Sequence, residues 1–170
     1  MFEIGELVIY GGEGVCRVER IGTAQIAGAD KGRMYYTLVP LYRSGQVLTP
    51  VDTGVLIRPV MSREEAEELI AALPELAPEE IPGGGTRAAK EHYHTVVMSY
   101  DCRRLAGLIK ALCRRRAAAL RRGRKVSQMD ERYLRRAEDA FYGELAAVLS
   151  LEREAVADRI REVCPAWQEG

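Results

Sequence analysis

The chain has 170 residues, 47% of them hydrophobic and 29% charged, and its 25 basic side chains balance 25 acidic ones. This composition is typical of a folded protein with one or two small cores and excludes an intrinsically disordered chain. No apolar run approaches the ~20 residues of a membrane span, and the amino-terminal MFEIGELVIY lacks the basic region of a secretory signal, so we expect a cytoplasmic protein.

The first sixty residues have the pattern of a small β-domain. Short segments rich in Val, Ile, Leu and Tyr alternate with glycine-containing turns. These segments span residues 6–10, 14–21, 33–42, 46–50 and 55–58. The sequence Arg43-Ser44-Gly45 between two of them is typical of a hairpin turn. Strands of this kind in so few residues predict a strongly bent sheet, such as a small barrel.

Helical patterning begins at Ser62, which forms a capping-box signature with Glu65. An apolar stripe at helical spacing follows; it consists of Ala66, Leu69, Ile70 and Leu73. Three prolines and three consecutive glycines over residues 74–85 then end the helix and predict a flexible join. The sequence therefore predicts a β-domain over residues 1–60, a helix and Pro/Gly linker over 61–85, and a helical domain over 86–170.

The remainder of the chain has helical periodicity almost to its end. We expect one helix through Ser99, one capped by Asp101 that ends near Gly123, and one that begins at Ser127 or Asp130. A short last helix runs from residue 152 to 163 and is closed by a proline. Four helices of this size are typical of a compact bundle, and the predicted fold class is α+β.

Basic charge is concentrated in the helical half. Residues 1–85 contain 7 basic and 13 acidic side chains, whereas residues 86–170 contain 18 and 12. Residues 102–129 hold ten basic side chains, Lys110 among them, and no acidic one. This pattern favours a polyanionic partner, most simply nucleic acid, and the scarcity of interleaved aromatic residues favours duplex backbone over stacked single strands. The strongest cluster is Arg114, Arg115, Arg116, Arg121, Arg122, Arg124 and Lys125.

A solvated helix face is the alternative interpretation of this cluster. Cations near the carboxyl end of a helix are favoured by its dipole, and the arginines could pair with Glu131, Glu138 or Asp139. Against this interpretation, the two signs of charge are usually interspersed on a helix that is only solvated. The residues alone leave both interpretations open.

No catalytic or metal-binding pattern is recognisable, and we predict no enzyme activity, cofactor or metal site. His92 and His94 are two residues apart and would not share a helix face. Cys102 and Cys113 have arginine neighbours that could lower a thiol pKa, but their helical spacing favours buried, inert cysteines. The four cysteines form no CxxC pair, which favours reduced thiols over disulfides or zinc.

The order of these features resembles the CarD/CdnL family of bacterial transcription regulators. The resemblance runs from Phe2 to about Val163. Its most specific parts are the opening pattern of Gly5, Val8, Tyr10, Gly14 and Val15, and a later helix with Asp130, Leu134, Ala137, Glu144 and Leu145. This chain resembles a divergent member, because the tryptophan that many members carry at the start of the first bundle helix aligns with Thr86.

The resemblance implies a partner for each half of the chain. In the family, a Tudor-like β-barrel, shared with the transcription–repair coupling factor, binds the β subunit of RNA polymerase. The carboxyl-terminal domain contacts promoter DNA at the upstream edge of the −10 element and stabilises the open complex. The residues implied in polymerase binding here are Leu38, Val47, Leu48, Thr49 and Pro50. An exposed edge strand at residues 47–50 would bind by β-augmentation.

Departures from the family pattern affect both interactions. The missing wedge tryptophan leaves Arg87 and Lys90 as the basic residues beside Thr86, and we add both to the predicted DNA-binding set. Arginines that some members present to polymerase align with Ala24 and Leu48. The only tryptophan, Trp167, lies in the tail, where it either covers the bundle or frays.

The sequence thus predicts a monomeric regulator that binds RNA polymerase through residues 1–60 and double-stranded promoter DNA through the helical domain. A protein–protein adaptor whose basic bundle binds an acidic protein is the main alternative. An RNA-binding module is a third possibility, although no RNP or GXXG signature is present. Salt-dependent binding to duplex DNA separates the first interpretation from the adaptor.

Overall fold

The computed structural model describes residues 1–168, without the side chains of Ala166 and Gln168. The chain divides into two compact units, Met1–Val60 and a second unit that begins at Met61. The first unit contains strands β1 (Leu7–Tyr10), β2 (Gly14–Thr23), β3 (Met34–Pro40), β4 (Val47–Pro50) and β5 (Ile57–Pro59). The second contains helices α1 (Arg63–Ala72), α2 (Thr86–Ser99), α3 (Cys102–Arg121), α4 (Gln128–Leu149) and α5 (Arg153–Val163). The predicted α+β class is confirmed.

The strands form one antiparallel sheet in the order β4-β3-β2-β1-β5. The prediction of a closed barrel is wrong, because β4 and β5 stand at opposite edges of an open sheet. Both edge strands are short and end in a proline, Pro50 or Pro59, which has no backbone N–H to extend a ladder. A register shift between Val18 and Arg20 interrupts the long β2–β3 ladder. The buried centre of the sheet consists of Val8, Cys16, Val18, Tyr36 and Leu38.

Helix α1 begins at the predicted capping box. The Ser62 hydroxyl accepts from the Glu65 N–H at 3.0 Å, and the Glu65 carboxylate accepts from the Ser62 N–H at 2.8 Å. The apolar stripe of α1 is buried in the same core as the helices that follow. Residues 61–85 therefore lie in the second unit, and the division falls after Val60, directly behind the predicted β-domain of residues 1–60.

The segment after α1 crosses α3 at a glycine. A Cβ at Gly107 would lie 3.2 Å from both the Ala77 carbonyl oxygen and the Glu79 nitrogen. The Glu79 N–H donates to the Gly107 carbonyl at 2.9 Å. A larger residue at this position would force the two backbones apart, so the Pro/Gly stretch is held against the bundle at this crossing.

Buried polar interactions join the elements of the second unit. Glu144 is 1% exposed. Its carboxylate accepts from the Met61 N–H at 2.9 Å and from the Cys102 thiol at 3.3 Å. The Glu144 carboxylate thus fixes the position of Met61, where the chain enters the bundle.

Trp167 covers the bundle: its ring packs on Phe141 and its Nε1–H donates to the Tyr142 hydroxyl at 2.7 Å.

Candidate nucleic-acid and partner interfaces

Caps at both helix starts position the basic cluster on the α3–α4 hairpin. The Asp101 carboxylate accepts from the N–H groups of Arg103 and Arg104, which starts α3 as predicted. The Ser127 hydroxyl accepts from the Asp130 N–H at 3.2 Å and starts α4. The basic cluster therefore occupies the last two turns of α3 and the connection to α4.

Arg115 belongs to a buried polar network. Its Nε–H donates to Asp130 Oδ2 at 2.9 Å, and the Tyr93 hydroxyl donates to Asp130 Oδ1 at 3.0 Å. Asp130 itself is buried. Burial, and secondarily the Asp130 charge, raise the pKa of Tyr93, while the hydrogen bond to Asp130 raises the pKa of Arg115. One carboxylate thus links α2, α3 and α4.

Arg116 also pairs with a carboxylate of α4. Its Nη1 lies 3.4 Å from Glu131 Oε1, and its side chain is mostly buried. The α4 carboxylates therefore match part of the α3 charge, as the solvated-face interpretation expected of Glu131. Asp139 pairs instead with Arg153, at 3.9 Å, and burial raises the pKa of Glu138.

The other members of the cluster remain uncompensated. Each is exposed and has no ion pair among residues 1–168; they are Arg114, Arg121, Arg122, Arg124 and Lys125. Arg122, Arg124 and Lys125, together with Arg115 and Arg116, line a cavity of about 360 Å³, which we call the cationic depression. Such a surface attracts phosphate groups.

The residues predicted beside Thr86 lie in the first turns of α2. Arg87 is exposed and pairs with Glu91 one turn later, at 3.3 Å, and Lys90 is exposed on the same helix. The N-cap residue, Gly85, offers no side chain to the first N–H groups of α2. This helix end therefore carries basic side chains beside N–H groups that no side chain caps, and both features favour an anion.

Lys110 does not belong to the basic surface. It is buried, and its ammonium group donates to the carbonyl oxygens of Leu73, Pro74 and Leu76, which directly follow α1; the last of these bonds is 2.7 Å long. Sequence reasoning counted this lysine with the exposed cations. Its position between the core residues Ile109 and Leu112 was the signal that it points inward.

The remaining candidate groups take structural positions. His92 Nε2 lies 3.2 Å from Glu79 Oε1, and Arg104 donates to the same carboxylate. All four cysteines are buried, and burial raises the pKa of the Cys113 thiol to about 11. Within residues 1–168 no His, Cys, Asp and Glu cluster has the geometry of a metal site.

Four of the five predicted polymerase-binding residues form β4 at one edge of the sheet, and Leu38 lies in the neighbouring strand β3. β4 pairs only with β3 in the described sheet, so one side of its backbone is unpaired. Val47, Leu48 and Pro50 are half-buried. Leu38 is 0% exposed, and Thr49 is buried, with its hydroxyl accepting from Tyr10 at 3.1 Å; a contact at Thr49 would therefore be made by its main chain.

A comparison with known protein families gives a match for the sheet unit. Residues 2–61 match the model of the CarD-like/TRCF RID domain. No curated protein gives a significant match to the chain. The matched range covers all of the strands and ends where the second unit begins.

Among residues 1–168, no helix has both the length and the apolar character needed to cross a membrane.

Proposed function

Because residues 2–61 form a domain of the CarD-like/TRCF RID family, a family of RNA polymerase-interacting regulatory domains, we propose that this protein regulates transcription by binding polymerase and promoter DNA together. The sheet binds the β subunit of RNA polymerase, and the helical unit binds the DNA backbone. The family match carries the first part of this proposal. The uncompensated cations at the α3–α4 connection support the second.

The open backbone of β4 is the proposed polymerase-binding edge. Its unpaired N–H and C=O groups can form main-chain hydrogen bonds with a strand of the partner. Val47, Leu48 and Pro50 offer partly exposed apolar surface beside them. Leu38 and Thr49 support this edge from inside the sheet. Polymerase is therefore bound by main chain and by a few side chains of one strand.

A pull-down with the isolated β-subunit lobe of a bacterial RNA polymerase tests this edge. We expect Leu48→Asp to abolish binding, because the new carboxylate would be desolvated against the partner. Leu56→Asp is the matched control, since Leu56 is exposed and lies outside β4, just before the opposite edge strand. If both variants bound equally well, or if the wild type did not bind, we would conclude that the sheet does not bind polymerase through β4.

The basic surface binds DNA through phosphates. Arginine and lysine side chains at phosphates give affinity and salt dependence with little choice of sequence. Polymerase would supply the position on the promoter, because tethering raises the local DNA concentration to roughly millimolar. We propose that this backbone interaction modulates the stability of the open complex without a tryptophan wedge, since Thr86 stands at that position.

Titration with a duplex oligonucleotide at several salt concentrations tests the DNA interaction. We expect weak, sequence-indifferent affinity that falls steeply as salt increases. An absence of duplex binding at low salt, together with capture of an acidic protein, would instead support the adaptor interpretation.

A further inference from the structure

A second cavity, of about 350 Å³, opens beside the cationic depression. It lies at the start of α2, where Thr86, Ile81 and Met129 contribute to its wall, and we call it the α2 depression. Arg115 and Ser127 line both cavities. Each volume falls within the range of roughly 300–1,000 Å³ that is usual for small-molecule sites, and their shared residues place the two cavities next to each other.

The two cavities differ in chemistry. In the cationic depression, Arg122, Arg124 and Lys125 have no carboxylate partner among residues 1–168. Asp130 also lines it, but this carboxylate is already bonded to Arg115 and Tyr93. The α2 depression is lined by polar and apolar residues alike: Thr86 and Ser127 offer hydroxyl groups and Arg115 a charge, beside the apolar side chains of Ile81, Pro82, Ala89 and Met129. A charged site adjoins a mixed apolar and polar one.

Arg115 is held in place between the cavities. Its bond to Asp130 uses Nε, while 48% of the side chain stays exposed, so its terminal amino groups can donate to a ligand. The uncapped N–H groups at the start of α2 add partial positive charge on the other side. Positive groups therefore converge on the boundary of the two cavities.

We propose that the two depressions together bind a phosphorylated nucleoside. The phosphates contact Arg115, Arg124 and Lys125, and the nucleoside packs against Ile81 and Met129. The site uses the basic surface of the proposed function, but it does not require duplex binding. Its ligand is a free nucleotide or a nucleotide of a single DNA strand, since both present the same chemistry.

Calorimetric titration of the full chain with ADP, pyrophosphate and adenosine tests the proposal. We expect ADP to bind about tenfold more tightly than pyrophosphate, because the nucleoside buries apolar surface that pyrophosphate lacks. Adenosine alone should bind weakest, since it leaves the cations unmatched. Equal affinities for ADP and pyrophosphate, or no binding of either, would overturn the nucleotide site.

Two variants test which part of the ligand each cavity binds. Gly83 lines the α2 depression, has an ordinary φ, and a Cβ there would meet no atom within 4 Å. Gly83→Leu should therefore fold normally, remove the advantage of ADP and leave pyrophosphate binding unchanged. Gly54→Leu, at an equally open glycine of the sheet unit, is the control. The double variant Arg124→Gln with Lys125→Gln should weaken ADP and pyrophosphate alike.

Competition identifies the source of the nucleotide. A short single-stranded deoxyoligonucleotide that displaces ADP from the wild type, but binds the Gly83→Leu variant weakly, would assign the site to a DNA strand. Displacement only by free nucleotides would assign it to a soluble ligand. A duplex titration run in parallel separates the two hypotheses: duplex binding without an ADP advantage refutes the nucleotide site alone, and the reverse result refutes the duplex interaction alone.

Discussion

At the scale of single residues, Asp130 is a buried charge that joins side chains of three helices. Its carboxylate accepts from Tyr93 and from Arg115 in a buried position. Asp130→Asn removes the charge that compensates Arg115, and leaving a buried group short of its partner costs about 1–3 kcal/mol. We therefore expect the free energy of unfolding, measured by urea titration, to fall by that amount.

Asp139→Asn is the matched control for this change. Asp139 is exposed and lies 3.9 Å from Arg153, and an exposed ion pair contributes about 0–1 kcal/mol. Tyr93→Phe should fall between the two, since it removes one hydrogen bond and no charge. If Asp130→Asn were no less stable than the control, the network would not hold the helices together.

The buried thiols give a pH dependence. Burial raises the pKa of Cys16 and of Cys113 from 9.0 to about 11. Between these values the unfolded chain loses thiol protons that the folded chain retains, so the stability falls as pH rises from about 9 to 11 and is unaffected by these groups below 9. We expect the urea midpoint to decline in this window.

The double variant Cys16→Ala with Cys113→Ala isolates this effect. It should be less stable at neutral pH because it leaves small cavities, but its urea midpoint should decline less steeply between pH 9 and 11. An unchanged decline would assign the alkaline loss of stability to other groups, such as Tyr142, whose pKa burial raises to about 12.

At the scale of elements, the α3–α4 hairpin divides its cations into two classes. Arg115 and Arg116 are matched by α4 carboxylates, whereas the cations of residues 121–125 have no ion pair within residues 1–168. Changing the second class to glutamine should reduce the magnitude of the negative slope of log affinity against log salt for duplex DNA, by roughly 0.9 for each phosphate that is no longer neutralised. The variant that tests this expectation combines Arg121→Gln, Arg122→Gln, Arg124→Gln and Lys125→Gln.

A control on α4 makes this measurement specific. Arg132 and Arg135 are exposed arginines of α4, and changing both to glutamine lowers the net charge without touching the α3–α4 connection. We expect the salt slope of this variant to stay close to the wild-type value. If the two variants showed the same decrease in slope per charge removed, DNA would be attracted by general charge and not by the connection.

The elements were largely predictable from the sequence, whereas the interactions between them were not. Local signals at Ser62, Asp101 and Ser127 marked helix starts correctly, because a cap involves residues only two or three positions apart. The partner of Lys110 lies more than thirty residues away, and no local pattern identifies it. The open sheet was missed for the same reason: strand patterns do not show whether the first and last edges meet.

At the scale of the whole molecule, the proposed function gives the two units different roles, which one variant can test separately. The family match covers only the sheet unit, and the uncompensated cations belong to the helical unit. Under the tethering mechanism, the weak DNA interaction acts at a promoter only while the sheet holds polymerase. Polymerase binding and DNA binding are then coupled in function through the tether.

Leu48→Asp tests this coupling in the full chain. We expect the variant to keep the wild-type affinity for free duplex DNA, because Leu48 lies in the sheet unit. It should nevertheless lose its effect on the lifetime of the open complex, measured with polymerase and a promoter fragment at a fixed protein concentration. Leu56→Asp should behave as wild type in both assays. An open-complex effect that survived in Leu48→Asp would mean that the helical unit reaches promoter DNA without the sheet, and a parallel loss of duplex affinity would mean that the substitution had damaged the second unit.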